Sequence, residues 1–241
     1  MFKTIDEQRR FGSRLMIAVL WAFCPIVTVA AMLVDGAWLG LGLGAAGFAL
    51  AATVTGRLDG DGQGSRLAIA VSLMGSVSLL VAALAGRPWQ IDMHMTYFAA
   101  LATLIVFCDW RVIAAGAAVV AVHHLLLSFI LPAAVFPGGG DLGRVAIHAV
   151  ILVAEAAVLL WAANNIAGMF AATQITLAQA DEARREAETA RQAAEDAQAA
   201  EARASEERRA LRVATEQESA ELVAGLADGL QHLADVDLAY R

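Results

Sequence analysis

Apolar residues fall in six long runs, and the last run gives way to a stretch in which alanine alternates with charge. A helix crossing a bilayer needs about 17–25 mostly apolar residues. The runs at 14–34, 37–55, 67–85, 92–108, 112–131 and 145–168 meet that length. Turn-forming or charged residues interrupt them at Asp35-Gly36, across 58–65, at Gly86-Arg87-Pro88-Trp89, at Asp109-Trp110-Arg111 and from Pro132 to Arg144. Asp109-Trp110-Arg111 reads as a tight turn with an ion pair and an interfacial tryptophan.

Beyond residue 168 the pattern changes. No Gly or Pro occurs from Met169 to Ala224, and Ala, Glu, Arg and Gln dominate, all good helix formers. Ala183, Ala187, Ala190, Ala194 and Ala197 alternate four- and three-residue steps, and the series continues through Ala204 to Leu211. That is a heptad seam of alanine flanked by charges. Alanine buries little area, so pairing of two copies would depend on their tethering to one membrane bundle. Larger side chains follow at Val223, Leu226, Leu230 and Leu233. The expected fold class is all-α: a six-transmembrane-helix bundle with a long C-terminal cytoplasmic coiled-coil helix. The expected divisions are 1–170 (membrane domain), 171–221 (alanine-rich helix) and 222–241.

Composition agrees with this division. The chain is 59% hydrophobic and 17% charged, too apolar for a soluble domain. The net charge of −7 lies in the tail, which argues against nucleic-acid binding. Basic residues set the orientation. With both termini cytoplasmic, the inside receives Lys3, Arg9, Arg10, Arg14, Arg57, Arg66 and Arg111, and the outside only Arg87 and Arg144. A full-length first span behind Lys3 and Arg9 argues against a cleaved signal peptide. Cys24 and Cys108 are expected at different depths, as small apolar side chains rather than a disulfide.

Ionisable residues inside hydrocarbon are costly, and a group of them marks a candidate site. His94, His123, His124 and His148 all fall within apolar runs, in the outer half under this topology. At the helical rise of 1.5 Å per residue, His94 and His148 lie about 6–8 Å below the outer boundary and His124 about 12 Å below it. Glu155 follows His148 by seven residues on the same helix face, as a candidate ligand or a partner orienting His148. His123 and His124 point about 100° apart, so one of them is expected to enter a shared site. Neutral imidazoles suit a transition-metal ion such as copper or zinc, or haem b iron. Met93 and Met95 flank His94, and thioethers favour Cu(I), although ordinary apolar packing is the better reading of both. Histidines in membrane helices also act as packing contacts between helices. His232, on the tail helix, is expected in solvent. No nucleophile–base pair, phosphate-binding glycine loop or CxxC occurs, so no enzymatic activity is expected; Gly40, Gly42 and Gly44 lie within a helix.

Two stretches carry a resemblance. Residues Leu222 to Leu238 resemble the end of the first helix of a HAMP relay domain, with Leu233, Ala234, Asp237 and Leu238 in the matching pattern and Val236 where glycine is usual. Asp92-Met93-His94-Met95-Thr96-Tyr97-Phe98, Asp109-Trp110-Arg111, His123-His124-Leu125, Val135-Phe136-Pro137-Gly138-Gly139 and Arg144-Val145 with His148 and Glu155 are similar to the six-span sensory region of some bacterial methyl-accepting chemotaxis proteins. Similar regions also precede diguanylate cyclases. The resemblance implies a homodimeric sensory receptor in the bacterial inner membrane, in contact with lipid. It would signal through a HAMP hairpin beyond residue 241 to a chemotaxis kinase complex. A membrane redox protein, a metal transporter and a plain dimerising anchor are the competing readings. A transporter would need polar groups through both leaflets, whereas only Glu155 reaches the middle.

Overall fold

A computed structural model of the chain describes residues 2–136 and 141–239, with side chains through Ala234. Among the described residues the regular structure is entirely helical. The helices are α1 (Ile5–Met32), α2 (Trp38–Leu58), α3 (Gln63–Ala83), α4 (Trp89–His94), α5 (Thr96–Thr103), α6 (Trp110–Ile130) and α7 (Leu142–Ala239). Short 3-10 turns occupy Leu104–Phe107 and Pro132–Ala134. Six stretches are long and apolar enough to cross a membrane: α1, α2, α3, the run Trp89–Phe107, α6 and the start of α7. In hydrocarbon every backbone N–H and C=O must find its partner within the segment, which is why these runs are helices.

The fourth span is not the single helix that its composition predicts. Its hydrogen bonds tighten at Met95, whose N–H donates to Asp92 O, and the chain continues as α5 and then as a 3-10 turn. A tightened stretch inside a span often marks a hinge or a constrained site. The span ends at Cys108, which has a left-handed backbone at φ 48. For a non-glycine residue that conformation costs about 1–2 kcal/mol. Side chains from α1 hold this corner: Arg9 Nε donates to Phe107 O at 3.1 Å and Gln8 Nε2 to Val106 O at 3.2 Å. Both cysteines are free thiols. Asp109 then caps α6 by accepting from Arg111 N at 3.1 Å. Its ion pair is with Arg66 of α3, not with a neighbour in the turn.

α3 is the central helix, packed against α1, α2, α4, α5 and α6. Ile69, Leu73, Met74 and Val77 of α3 meet Leu20 and Val27 of α1, Ala45 and Ala49 of α2, Leu101 of α5 and Ile113 of α6 in one apolar core. Gly75 and Gly116 leave the spaces taken by the Phe48 ring and by Leu104. α7 is more loosely held: Leu152, Ala156 and Ala163 are its buried apolar residues, while Ile147, Val150, Val153 and Trp161 are exposed.

The chain divides into two compact units at Ile175–Thr176. In the second unit Leu211, Leu222, Leu226, Leu230 and Leu233 are all exposed. Arg184–Glu188 and Arg191–Glu195 form ion pairs one turn apart along the helix, at 3.6 Å and 3.1 Å. The Pro137-Gly138-Gly139 part of the resemblance, and the side chains of Val236, Asp237 and Leu238, lie outside the described residues.

Candidate metal centre

Three helices bring histidines together at the end of the bundle formed by the 84–88 and 131–136 turns. His94 ends α4, His124 lies in the second half of α6, and His148 lies in the first two turns of α7. The Nε2 atoms of His94 and His124 are 2.8 Å apart. The His148 ring lies 5.3 Å from that of His94 and 6.1 Å from that of His124, between centroids.

Hydrogen bonding sets the tautomers. His124 Nδ1 donates to Val120 O at 2.8 Å and His148 Nδ1 to Arg144 O at 2.8 Å, because a carbonyl can only accept. Each bond runs back one turn of its own helix and leaves Nε2 with a lone pair. A backbone carbonyl on the far nitrogen is the usual arrangement behind a metal-bound imidazole. In the unliganded pair, His94 Nε2–H donates to His124 Nε2.

His123 turns elsewhere. Its Nε2 lies 3.1 Å from the Tyr97 hydroxyl, which is 2.8 Å from Ser78 Oγ, and Ser78 donates to Met74 O at 2.9 Å. Only one direction satisfies this chain. Ser78 spends its proton on the carbonyl, so Tyr97 donates to Ser78 and His123 Nε2–H donates to Tyr97. His123 thus joins α6 to α5 and α3 and is not part of the trio, contrary to its candidacy as a ligand. Glu155 is also absent from the trio. It does not line the histidine cavity, and its Oε2 is buried without a hydrogen-bond partner. The His148 nitrogen it was expected to orient is already held by Arg144 O. His232 is exposed on the second unit.

Four further residues complete the site. Phe136, 3% exposed, stacks on His94 at 5.6 Å and meets His148 edge-on at 5.2 Å. The Arg144 guanidinium lies over the Phe136 ring, 5.3 Å from its centroid. Gln90, 0% exposed, accepts from Gly86 N and donates to Ala133 O, which holds the turn leading to Phe136. Tyr97 meets His94 and His124 edge-on at 5.3 Å and 5.2 Å. The four-residue step from Gln90 to His94 and the three-residue step to Tyr97 put all three on one helical face, a signal readable from spacing. Phe136 has no such signal, because a turn places it.

A cavity of about 200 Å³ lies against His94, Tyr97, His124 and His148, walled by Val120, Leu152 and other apolar side chains. A second, of about 500 Å³, lies against Gln90, Met95, Phe136 and Arg144. His94, Phe98 and His148 belong to both. Among the described residues no three His, Cys, Asp or Glu side chains stand ready to enclose an ion, so the preformed element is the His94–His124 pair with His148 beside it. No family model matches the chain, and comparisons with curated proteins and with solved structures give no match.

Proposed function

We propose that this chain is a membrane sensory receptor that binds a transition-metal ion through His94, His124 and His148 and signals through α7. The single observation that carries the reading is the 2.8 Å separation of two imidazole Nε2 atoms inside an apolar cavity. At about 2.0–2.1 Å per metal–nitrogen bond, two imidazoles on adjacent positions of one ion have nitrogens roughly 2.9–3.4 Å apart. The pair is within a few tenths of an ångström of that range. Opposite axial positions on haem iron would need about 4 Å on the same bond lengths. The geometry therefore favours a bare ion over haem b.

His94 and His124 would hold an ion between their Nε2 atoms once His94 carries its proton on Nδ1, and both imidazoles would stay neutral. His148 is the third donor, but it is not yet in ligating position. Drawing it in moves α7, the helix with the least buried surface in the bundle. Shifts of about 1–2 Å are typical of helix switching. α7 also carries the heptad seam, so a dimer joined along the tail would receive the change. The output is a chemotaxis kinase complex reached through the HAMP-like end, with both termini in the cytoplasm of a bacterial cell and the histidines in the outer leaflet. The excess of basic residues on the loops assigned inside supports that orientation.

The test is metal analysis of the purified full chain, combined with disulfide cross-linking of an Ala190→Cys variant with and without metal. Wild type should bind one ion per chain and change its cross-linking on binding. His94→Ala and His124→Ala should bind none. His148→Ala should bind more weakly and lose the cross-linking response. Unchanged metal content and response after replacing all four intramembrane histidines would overturn the reading.

A further inference from the structure

We infer that the ion is monovalent and soft, Cu(I) in the cell, and that it reaches the histidines past Met95; this rests on the metal-site reading above. The first argument is charge. The donors are neutral imidazoles, and the described lining of neither cavity includes a carboxylate. The cost of moving an ion from water into a low-dielectric site grows with the square of its charge, so a dication pays about four times what a monocation pays. With no anionic ligand to repay that difference, a divalent ion is disfavoured.

The second argument separates the two methionines. Met93 is packed against the apolar core. Met95, one residue past His94 at the tightened point of the span, is 65% exposed and lines the larger cavity. A thioether is a soft donor suited to Cu(I). His94 and His148 face both cavities, so their rings can take an ion from Met95 on one side and deliver it to His124 on the other.

The experiment uses the full chain in detergent under anaerobic reducing conditions. Its probes are Cu(I) competed against a colorimetric chelator, Ag(I) as a redox-inert surrogate, and Zn(II). Cu(I) and Ag(I) should bind at one per chain and about 100-fold more tightly than Zn(II). Met95→Leu should weaken or slow Cu(I) binding by about tenfold, while Met93→Leu leaves it unchanged. An unchanged Met95→Leu variant overturns the route. Zn(II) binding as tight as Cu(I), and abolished by His94→Ala, overturns the monovalent ion while leaving the metal site standing. Binding of none of the three ions overturns both.

Discussion

Arg66 of α3 and Asp109, the cap of α6, form an ion pair at 3.1 Å with side chains only 10% and 5% exposed. The same guanidinium donates to Asp61 O, and the same carboxylate caps α6 through Arg111 N. One pair therefore joins the loop before α3, α3 itself and the start of α6.

Removing one partner of a buried pair leaves the other charge uncompensated, at about 3–5 kcal/mol. Asp109→Ala should lose stability in that range by unfolding in mixed micelles. Arg66→Met combined with Asp109→Leu should recover most of it, because neither charge is left behind. A double variant no better than the single one would show that the carboxylate acts mainly as the helix cap.

Close packing of α2 on α3 depends on Gly75. A methyl group there would run into the Phe48 ring, whereas one at Gly47 would meet nothing within 4 Å. Overpacking costs about 1–3 kcal/mol, so Gly75→Ala should unfold at lower denaturant while Gly47→Ala does not. Equal behaviour of the two variants would place α2 differently.

Tyr97→Phe removes the middle of the chain from His123 to Ser78: His123 Nε2 loses its partner, while Ser78 keeps its bond to Met74 O. Hydrogen bonds between membrane helices contribute about 0.6–1.7 kcal/mol, and a loss of that size is expected. Metal content should not change, because His123 lies outside the trio. Loss of bound metal in this variant would assign the Tyr97 hydroxyl a direct part in metal binding.

Cysteines replacing Ala190 or Ala197 should cross-link between copies more readily than cysteines replacing Arg191 or Gln198. All four positions are exposed in the single chain, so a difference between them measures a partner helix rather than access. Uniform cross-linking would indicate that the tail helices do not pair along the alanine seam.

The spans were legible in the amino-acid sequence because a bilayer imposes one local rule: about twenty apolar residues that satisfy their own backbone. The meeting of His94, His124 and His148 at one end of the bundle agrees with the rise per residue, and the long tail helix with the absence of Gly and Pro from 169 to 224. Rotation about each helix axis did not follow. Apolar side chains surround α6 on all sides, facing core and lipid alike, so no polar stripe marks which side turns inward. Tertiary packing alone decided that His124 enters the site while His123 bonds to Tyr97. It also decided that Phe136, carried by a turn that Gln90 holds, closes over His94. These contacts join residues far apart in the chain, and no local pattern of hydrophobicity encodes them.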